Sequence, residues 1–378
     1  MRYIILLSCC LFTCHLSAQP IDHFSFSDEE KSYTLTEWMA LNQTPGLSYY
    51  LSYGDGQEIS WQSGLRKADE NTLLTAETIF PVGSMSKAPV AMLTLMLVTE
   101  GKIELDGAVN SYLEEWQITG RRADQVSVRD LLLSKKRWGS DYKPSGYAAN
   151  QTLPSLLELL NGNAPSLPKG IRLKGNRGPN ANPEYGNWLI LQQLIEEQLD
   201  GSLPELAQQY LFEPLGMEHS FYAAELSSEQ VALAPYGHED DGSLMASQYL
   251  RYPELAASGL WTTPADYAKL VRHVQAAAAG EDNRILSAAL AQQGLERQNG
   301  FRSLIFHIND YGDPYWGGNC RGFYASFSCS LQYGWVNVAC SNRQLNWRVV
   351  NWMMGQAHDW VVDQLAEPAL DGQESNDR

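Results

Sequence analysis

The stretch Phe80-Pro81-Val82-Gly83-Ser84-Met85-Ser86-Lys87-Ala88-Pro89-Val90-Ala91-Met92-Leu93 decides the fold. Ser84 and Lys87 stand three residues apart at the head of an apolar run that continues to Val98. Residues three apart on a helix share a face, so the Lys87 ammonium reaches the Ser84 hydroxyl. Apolar surroundings favour the neutral amine, and a neutral amine accepts a serine proton. The run from Val90 to Val98 is apolar around nearly its whole circumference, which predicts a central buried helix. Pro89 falls in an early turn, where it removes at most one backbone bond. Ser-x-x-Lys recurs at Ser140/Lys143 and Ser166/Lys169, but with Pro144 beside the first and Pro168 inside the second, and neither opens an apolar helix. Taken alone, a core helix capped by an incidental serine accounts for the same residues.

Working outward, the 378 residues carry 44 Asp and Glu against 27 Lys and Arg, a formal charge of −17. That balance argues against nucleic acid or anionic lipid as a partner. Residues 1–18 combine Arg2, a short apolar stretch and Leu16-Ser17-Ala18 before Gln19-Pro20, the pattern of a cleavable secretory signal peptide. The apolar stretch is too short for a stable membrane span, so the expected location is periplasmic or secreted. A lipid-anchored reading at Cys9 or Cys14 ranks well below simple cleavage. Removing the segment leaves Cys320, Cys329 and Cys340, an odd number that forbids complete pairing. One disulfide is conceivable in an oxidising compartment, and buried free thiols are the commoner arrangement. No spacing resembles a metal site, and no cofactor is signalled. The tail 367–378 is rich in Asp, Glu, Gly, Ser and Asn and reads as disordered.

The order of elements predicts an α+β fold. A helix over 28–42 precedes a strand over 46–53, which pairs through Gly54-Asp55-Gly56 with 58–62. A mostly helical middle follows, and strands return only over 302–308 and 322–340, before a closing helix over 346–364. Strands at both ends around a helical insert imply an antiparallel sheet flanked by helices and built from distant parts of the chain. One domain over 19–366 is expected, with its sheet part over 28–105 and 255–365 and its helical part over 106–254.

Two further elements would complete a site around Ser84. Tyr185-Gly186-Asn187 follows a loop and opens the apolar helix beginning Trp188-Leu189-Ile190, a junction that can hold a tyrosine in a cleft. Trp316-Gly317-Gly318-Asn319 precedes a strand pattern, and its glycines let backbone approach a substrate closely. A packing tyrosine with a capping asparagine, and an ordinary glycine turn, explain each motif in isolation.

Together and in this order, the three motifs resemble those of the serine β-lactamase and penicillin-binding-protein superfamily. The resemblance is strongest to the class C β-lactamase-like group with its D-Ala-D-Ala carboxypeptidase and esterase relatives. It runs from about Gly46 to Gln364 and is supported by Glu100-Gly101-Lys102, Phe212-Glu213-Pro214-Leu215-Gly216-Met217 and Ala257-Ser258-Gly259-Leu260-Trp261-Thr262-Thr263-Pro264. It implies a β-lactamase-like fold and a serine hydrolase that cleaves an ester, amide or lactam through an acyl-enzyme on Ser84. Lys87 and Tyr185 would share the proton, with the division between them open. Asn187 would orient Lys87 and the substrate, and Trp316, Gly317, Gly318 and Asn319 would line the substrate and oxyanion site. The substrate would be a small molecule or peptidoglycan-like.

Two departures bear on the substrate. Relatives carry Lys or His where Trp316 stands, and tryptophan cannot hold a substrate carboxylate, which favours esterase or peptidase-like activity over a dedicated β-lactamase; Arg321 is the candidate substitute charge. Ser134-Lys135-Lys136-Arg137-Trp138-Gly139 stands where relatives carry a His-Thr-Ser-Gly-like segment. A catalytically impaired member acting as a cell-wall binding or regulatory protein is the alternative from a different class. A Gly-x-Ser-x-Gly elbow is missing at Ser84, and no His-Glu-x-x-His pair occurs.

Overall fold

Thr34 begins the first helix by capping it, its side chain and that of Glu37 each bonding the other's backbone N–H. The helix expected over 28–42 is therefore shorter, α1 (Leu35–Leu41), and follows a two-strand ladder of β1 (Phe26–Ser27) and β2 (Ser32–Tyr33). This computed structural model describes residues 26–27, 32–67, 70–139, 144–178, 185–281, 285–344 and 347–366. The expected signal peptide, the tail 367–378 and the Ser140/Lys143 pair lie outside the described residues.

The expected hairpin forms as β3 (Gly46–Tyr53) and β4 (Gln57–Gly64). Next, β5 (Phe80–Pro81) runs into a 3₁₀ turn, Gly83–Ser86, and then α2 (Lys87–Thr99). The middle of the chain holds α3 (Val128–Leu132), β6 (Lys136–Trp138), α4 (Leu156–Asn161), β7 (Leu173–Asn176), α5 (Tyr185–Leu199), α6 (Leu203–Ala207), β8 (Phe221–Tyr222) and α7 (Ser228–Leu233). It ends in α8 (Leu255–Ser258), β9 (Leu260–Thr262), α9 (Pro264–Ala278), α10 (Ala288–Leu295), β10 (His307–Ile308), β11 (Pro314–Cys320), β12 (Phe323–Cys329), β13 (Val336–Ser341) and α11 (Trp347–Ala366).

The main sheet has six antiparallel strands in the order β10-β11-β12-β13-β3-β4, so strands from the two ends of the chain meet where β13 pairs with β3. Period-two alternation sends Leu47, Tyr49 and Leu51 to a cluster under α1 and α11, while Tyr50 joins the larger core on the other face. That larger core encloses α2 and α5. Every residue of α2 from Lys87 to Leu97 is buried, as the uniformly apolar run predicts.

Three local readings are corrected. Ser84 lies in the 3₁₀ turn, and α-helix begins only at Lys87. Strand structure expected over 302–308 is confined to β10, because the 299–302 segment closes its own tight loop, Arg302 N–H donating to Asn299 O at 3.1 Å. Trp316 to Asn319 forms the body of β11 and not a turn before a strand. The helical middle also contains an unexpected two-stranded ribbon, β6 paired with β7.

Candidate active site

The Ser84 turn is held by contacts from all sides. Val82 N–H donates to Leu260 O at 3.1 Å, and Ser86 Oγ accepts from Leu260 N–H at 3.0 Å, so both ends of the turn hang on β9. The hydroxyls of Tyr222 and Tyr267 donate to the carbonyls of Ser86 and Met85. Gly83 adopts φ of 51°, a left-handed conformation that glycine takes without penalty. A side chain there is also excluded by β11, since a Cβ on Gly83 would stand 2.7 Å from Asn319 N and 2.4 Å from Asn319 O. The converse holds at Gly318, whose Cβ would stand 1.9 Å from Val82 O and 2.9 Å from Ser84 N. Two glycines thus let β11 lie flush against the turn and bring the backbone amides of Ser84 and Asn319 to one crossing. Paired amides of this kind can stabilise a developing oxyanion.

Lys87 points back along its helix to the same place. Its Nζ lies 2.8 Å from Ser84 Oγ and donates to Ala257 O at 3.0 Å. The side chain is 1% exposed and lies over the rings of Tyr185 and Trp188, at 5.1 Å and 5.9 Å. Burial pushes the Lys87 amine down to about 7, against a small opposing effect of Cys320. Tyr185 is the first residue of α5, and its hydroxyl hydrogen-bonds Ser84. Burial pushes that phenol above its ordinary value, so it is a proton donor at neutral pH. Ser84, Lys87 and Tyr185 therefore converge.

Asn187, expected to touch both Lys87 and substrate, is fully buried, and its Oδ1 accepts from Trp138 Nε1 at 3.1 Å. Trp138, in the Ser134–Gly139 stretch, is one of several supporting residues whose role motif reading missed. Another is Ala257, whose carbonyl fixes Lys87; Gln192 Oε1 in turn accepts from Ala256 N–H at 3.2 Å and ties α8 to α5. Ala257 stood in a quoted stretch, but nothing in its side chain signals a backbone role. His307 is a third, stacked on Trp316 with centroids 4.3 Å apart. Burial, then Arg302 and Lys87, push His307 down to about 3, so it is neutral at physiological pH.

The two ends of β11 differ. Trp316 is 6% exposed and fills its position with packed indole. At the other end, Tyr185, Asn319, Tyr252, Arg321 and Glu239 line a cavity of about 490 Å³. Arg321, the candidate substitute cation, is bound to Glu239 through Nη2 at 2.9 Å and Nε at 3.2 Å. The pair is exposed to solvent, and it holds Arg321 past Asn319, away from Trp316. Cys320, Cys329 and Cys340 are buried free thiols. Among the described residues no helix is long and apolar enough to cross a membrane, and no group of three His, Cys, Asp or Glu could hold a metal ion.

The sequence matches the beta-lactamase family over residues 34–349. A teichoic acid D-alanine hydrolase of Staphylococcus aureus (strain MRSA252) is 24% identical over 212 residues, 53% of this chain and 47% of the relative. The chain thus spans about half the length of the curated relatives it matches. Among solved structures, the octameric penicillin-binding protein homologue from Pyrococcus abyssi superposes with a TM-score of 0.68 at 20% identity, covering 87% of this chain and 76% of that one. FmtA from Staphylococcus aureus superposes with a TM-score of 0.67 at 19% identity, covering 87% and 88%.

Proposed function

The chain belongs to the beta-lactamase family, and from that premise we propose that it is a serine hydrolase acting through an acyl-enzyme on Ser84. The observation that carries the reading is the 2.8 Å approach of a buried, readily neutral Lys87 amine to Ser84 Oγ. Ser84 Oγ attacks the substrate carbonyl carbon while its proton passes to Lys87 Nζ. The tetrahedral oxyanion meets the amides of Ser84 and Asn319, contacts worth about 3–4 kcal/mol per donor in comparable sites. The Tyr185 phenol, kept protonated, delivers a proton to the leaving group and recovers it from Lys87. Water then enters by the reverse path, with Lys87 and Tyr185 drawing off its proton. Asn187, held by Trp138, is assigned the orienting of Lys87 in this reading.

For the substrate, an ester fits best. Trp316 removes the cation that would hold a carboxylate, and Arg321 does not replace it because it is held by Glu239 at the other end of β11. Curated relatives carry the name teichoic acid D-alanine hydrolase, which supports an ester of a cell-envelope molecule met after export, in the periplasm or outside the cell. Trp316 also favours a second reading, a member that has lost turnover and binds cell-wall material. Hydrolysis of p-nitrophenyl acetate by the purified chain and by Ser84→Ala separates the two. Turnover abolished by the substitution supports the hydrolase, and turnover equal in both proteins overturns it. Penicillin turnover faster than ester turnover would move the substrate to lactams.

A further inference from the structure

The ribbon of β6 and β7 has an unusual charge pattern for so acidic a protein. Residues 134–139 and 171–178 contain Lys135, Lys136, Arg137, Arg172, Lys174 and Arg177 and no Asp or Glu, in a chain with 44 acids and 27 bases. Pairing sets Lys136 opposite Asn176 and Trp138 opposite Leu173, so Trp138, Leu173 and Ile171 are buried while Arg172 and Lys174 face solvent. Lys136 is paired with Asp130 at 3.0 Å. Among the described residues, no carboxylate pairs with Arg137, Arg172 or Lys174. Clustered like charges repel, and of these cations Lys136 is offset by its contacts to Asp130 and Asn176.

The ribbon also abuts the Ser84 site. Trp138 bonds Asn187, and a Cβ on Gly186 would stand 2.8 Å from the Trp138 ring. Arg177 N–H donates to Lys135 O at 2.8 Å, and Asn299 Nδ2 donates to Leu133 O at 3.0 Å, which draws the 299–302 loop against the ribbon. That loop carries Arg302, only 3% exposed, its guanidinium 4.6 Å from the Phe301 ring centroid. Burial, and then the neighbouring Arg177, push Arg302 below its ordinary value, so the two guanidiniums are close enough to repel. Arg302 in turn acts on His307, beneath Trp316. The buried Arg302 thus lies between Arg177 at the end of the ribbon and His307 at the Trp316 end of the site.

We propose that the β6–β7 ribbon, with Arg177 at its end, binds a polyanionic substrate whose negative charges repeat along its length. Arg172 and Lys174, two residues apart, stand about 7 Å apart along the strand, a spacing that suits successive charged groups better than one terminal carboxylate. Guanidinium forks take phosphate or carboxylate oxygens in two-point contacts. The formal charge of −17 repels such a chain elsewhere on the surface, but it is screened beyond about 8 Å at physiological salt, so the ribbon presents its own local field. The word substrate rests on the acyl-transfer reading of Ser84; binding does not.

Calorimetric titration of Ser84→Ala protein with tripolyphosphate and with trigalacturonate tests binding without turnover and separates phosphate from carboxylate ligands. Saturable binding of either, weakening as salt rises, and about tenfold weaker in an Arg172→Glu/Lys174→Glu variant, is expected. Lys102→Glu, a charge reversal on exposed surface beside Glu100, serves as the control and leaves binding unchanged. The bound polyanion also competitively inhibits ester turnover by the unmodified chain. Binding of neither probe, binding indifferent to the ribbon substitutions, or binding without inhibition overturns the proposal. Loss of ester turnover with polyanion binding intact would instead count against the hydrolase reading alone.

Discussion

Replacing Gly318 by alanine should remove most activity, while the same change one residue earlier should be mild. At Gly318 the new Cβ would stand 1.9 Å from Val82 O, 2.9 Å from Ser84 N and 3.0 Å from Met85 N. An ordinary carbon–oxygen contact needs more than about 3 Å, so β11 and the turn must separate by about 1 Å. Neither backbone gives cheaply, because Val82 is bonded to Leu260 and β11 is in register with β12 along its length. The separation falls on the amides of Ser84 and Asn319, and loss of one oxyanion donor lowers kcat about 100- to 1,000-fold, about 2.7–4 kcal/mol. At Gly317 the one tight contact of the Cβ would be the Tyr324 hydroxyl, at 3.1 Å, the tip of a side chain that need give only a few tenths of an ångström; Tyr324 Cζ and Ala325 O lie at ordinary distances. Gly317→Ala should therefore lose at least about tenfold less than Gly318→Ala. Steady-state hydrolysis of p-nitrophenyl acetate, with circular dichroism to verify folding, compares the pair. Folded Gly318→Ala with near-normal kcat, or equal losses in the two variants, would refute the reasoning.

Four further outcomes follow from the same geometry. With the Lys87 amine near 7, kcat/KM for a neutral ester should climb with pH through about 7 and then level, and Lys87→Met should lose about 100-fold or more and the limb with it. Because folding depresses this group below its ordinary 10.5, the unfolded chain binds more protons between about 7 and 10.5, and stability gains with rising pH there; urea unfolding at pH 6.5 and 9 should show a smaller gain in Lys87→Met. Trp138→Phe deletes the indole donor to Asn187 and should cost about 1–2 kcal/mol in denaturant unfolding, with a lower kcat at unchanged KM. Trp316→Lys should improve KM for carboxylate-bearing substrates relative to neutral ones and move the Lys87 limb to lower pH, since a second cation near the amine disfavours its charged form.

Much of this architecture is legible in the sequence where local pattern and burial agree. The hairpin around Gly54-Asp55-Gly56 and the apolar helix after Lys87 combine a periodicity with a turn or charge signal, and both form as expected. Ser84, Lys87 and Tyr185 were readable as a set because their residue types and order in the chain carry the chemistry, and the fold brings them together. What escaped depends on other parts of the chain. The 3₁₀ turn at Ser84 is imposed by the crossing with Gly318, more than two hundred residues away. Lys135 to Trp138 has no strand pattern of its own and becomes β6 only by pairing with β7. The hydrogen bond from Trp138 to Asn187, the stack of His307 on Trp316 and the Glu239–Arg321 pair are tertiary contacts without a spacing signature.

The central claim is that Ser84 is an activated nucleophile. Intact-mass spectrometry of the chain after exposure to a fluorophosphonate tests it most directly, with Ser84→Ala treated in parallel. A single covalent adduct on the unmodified chain that is missing from the variant is the predicted result. Equal labelling of both proteins, or an unlabelled chain that is folded, would contradict it.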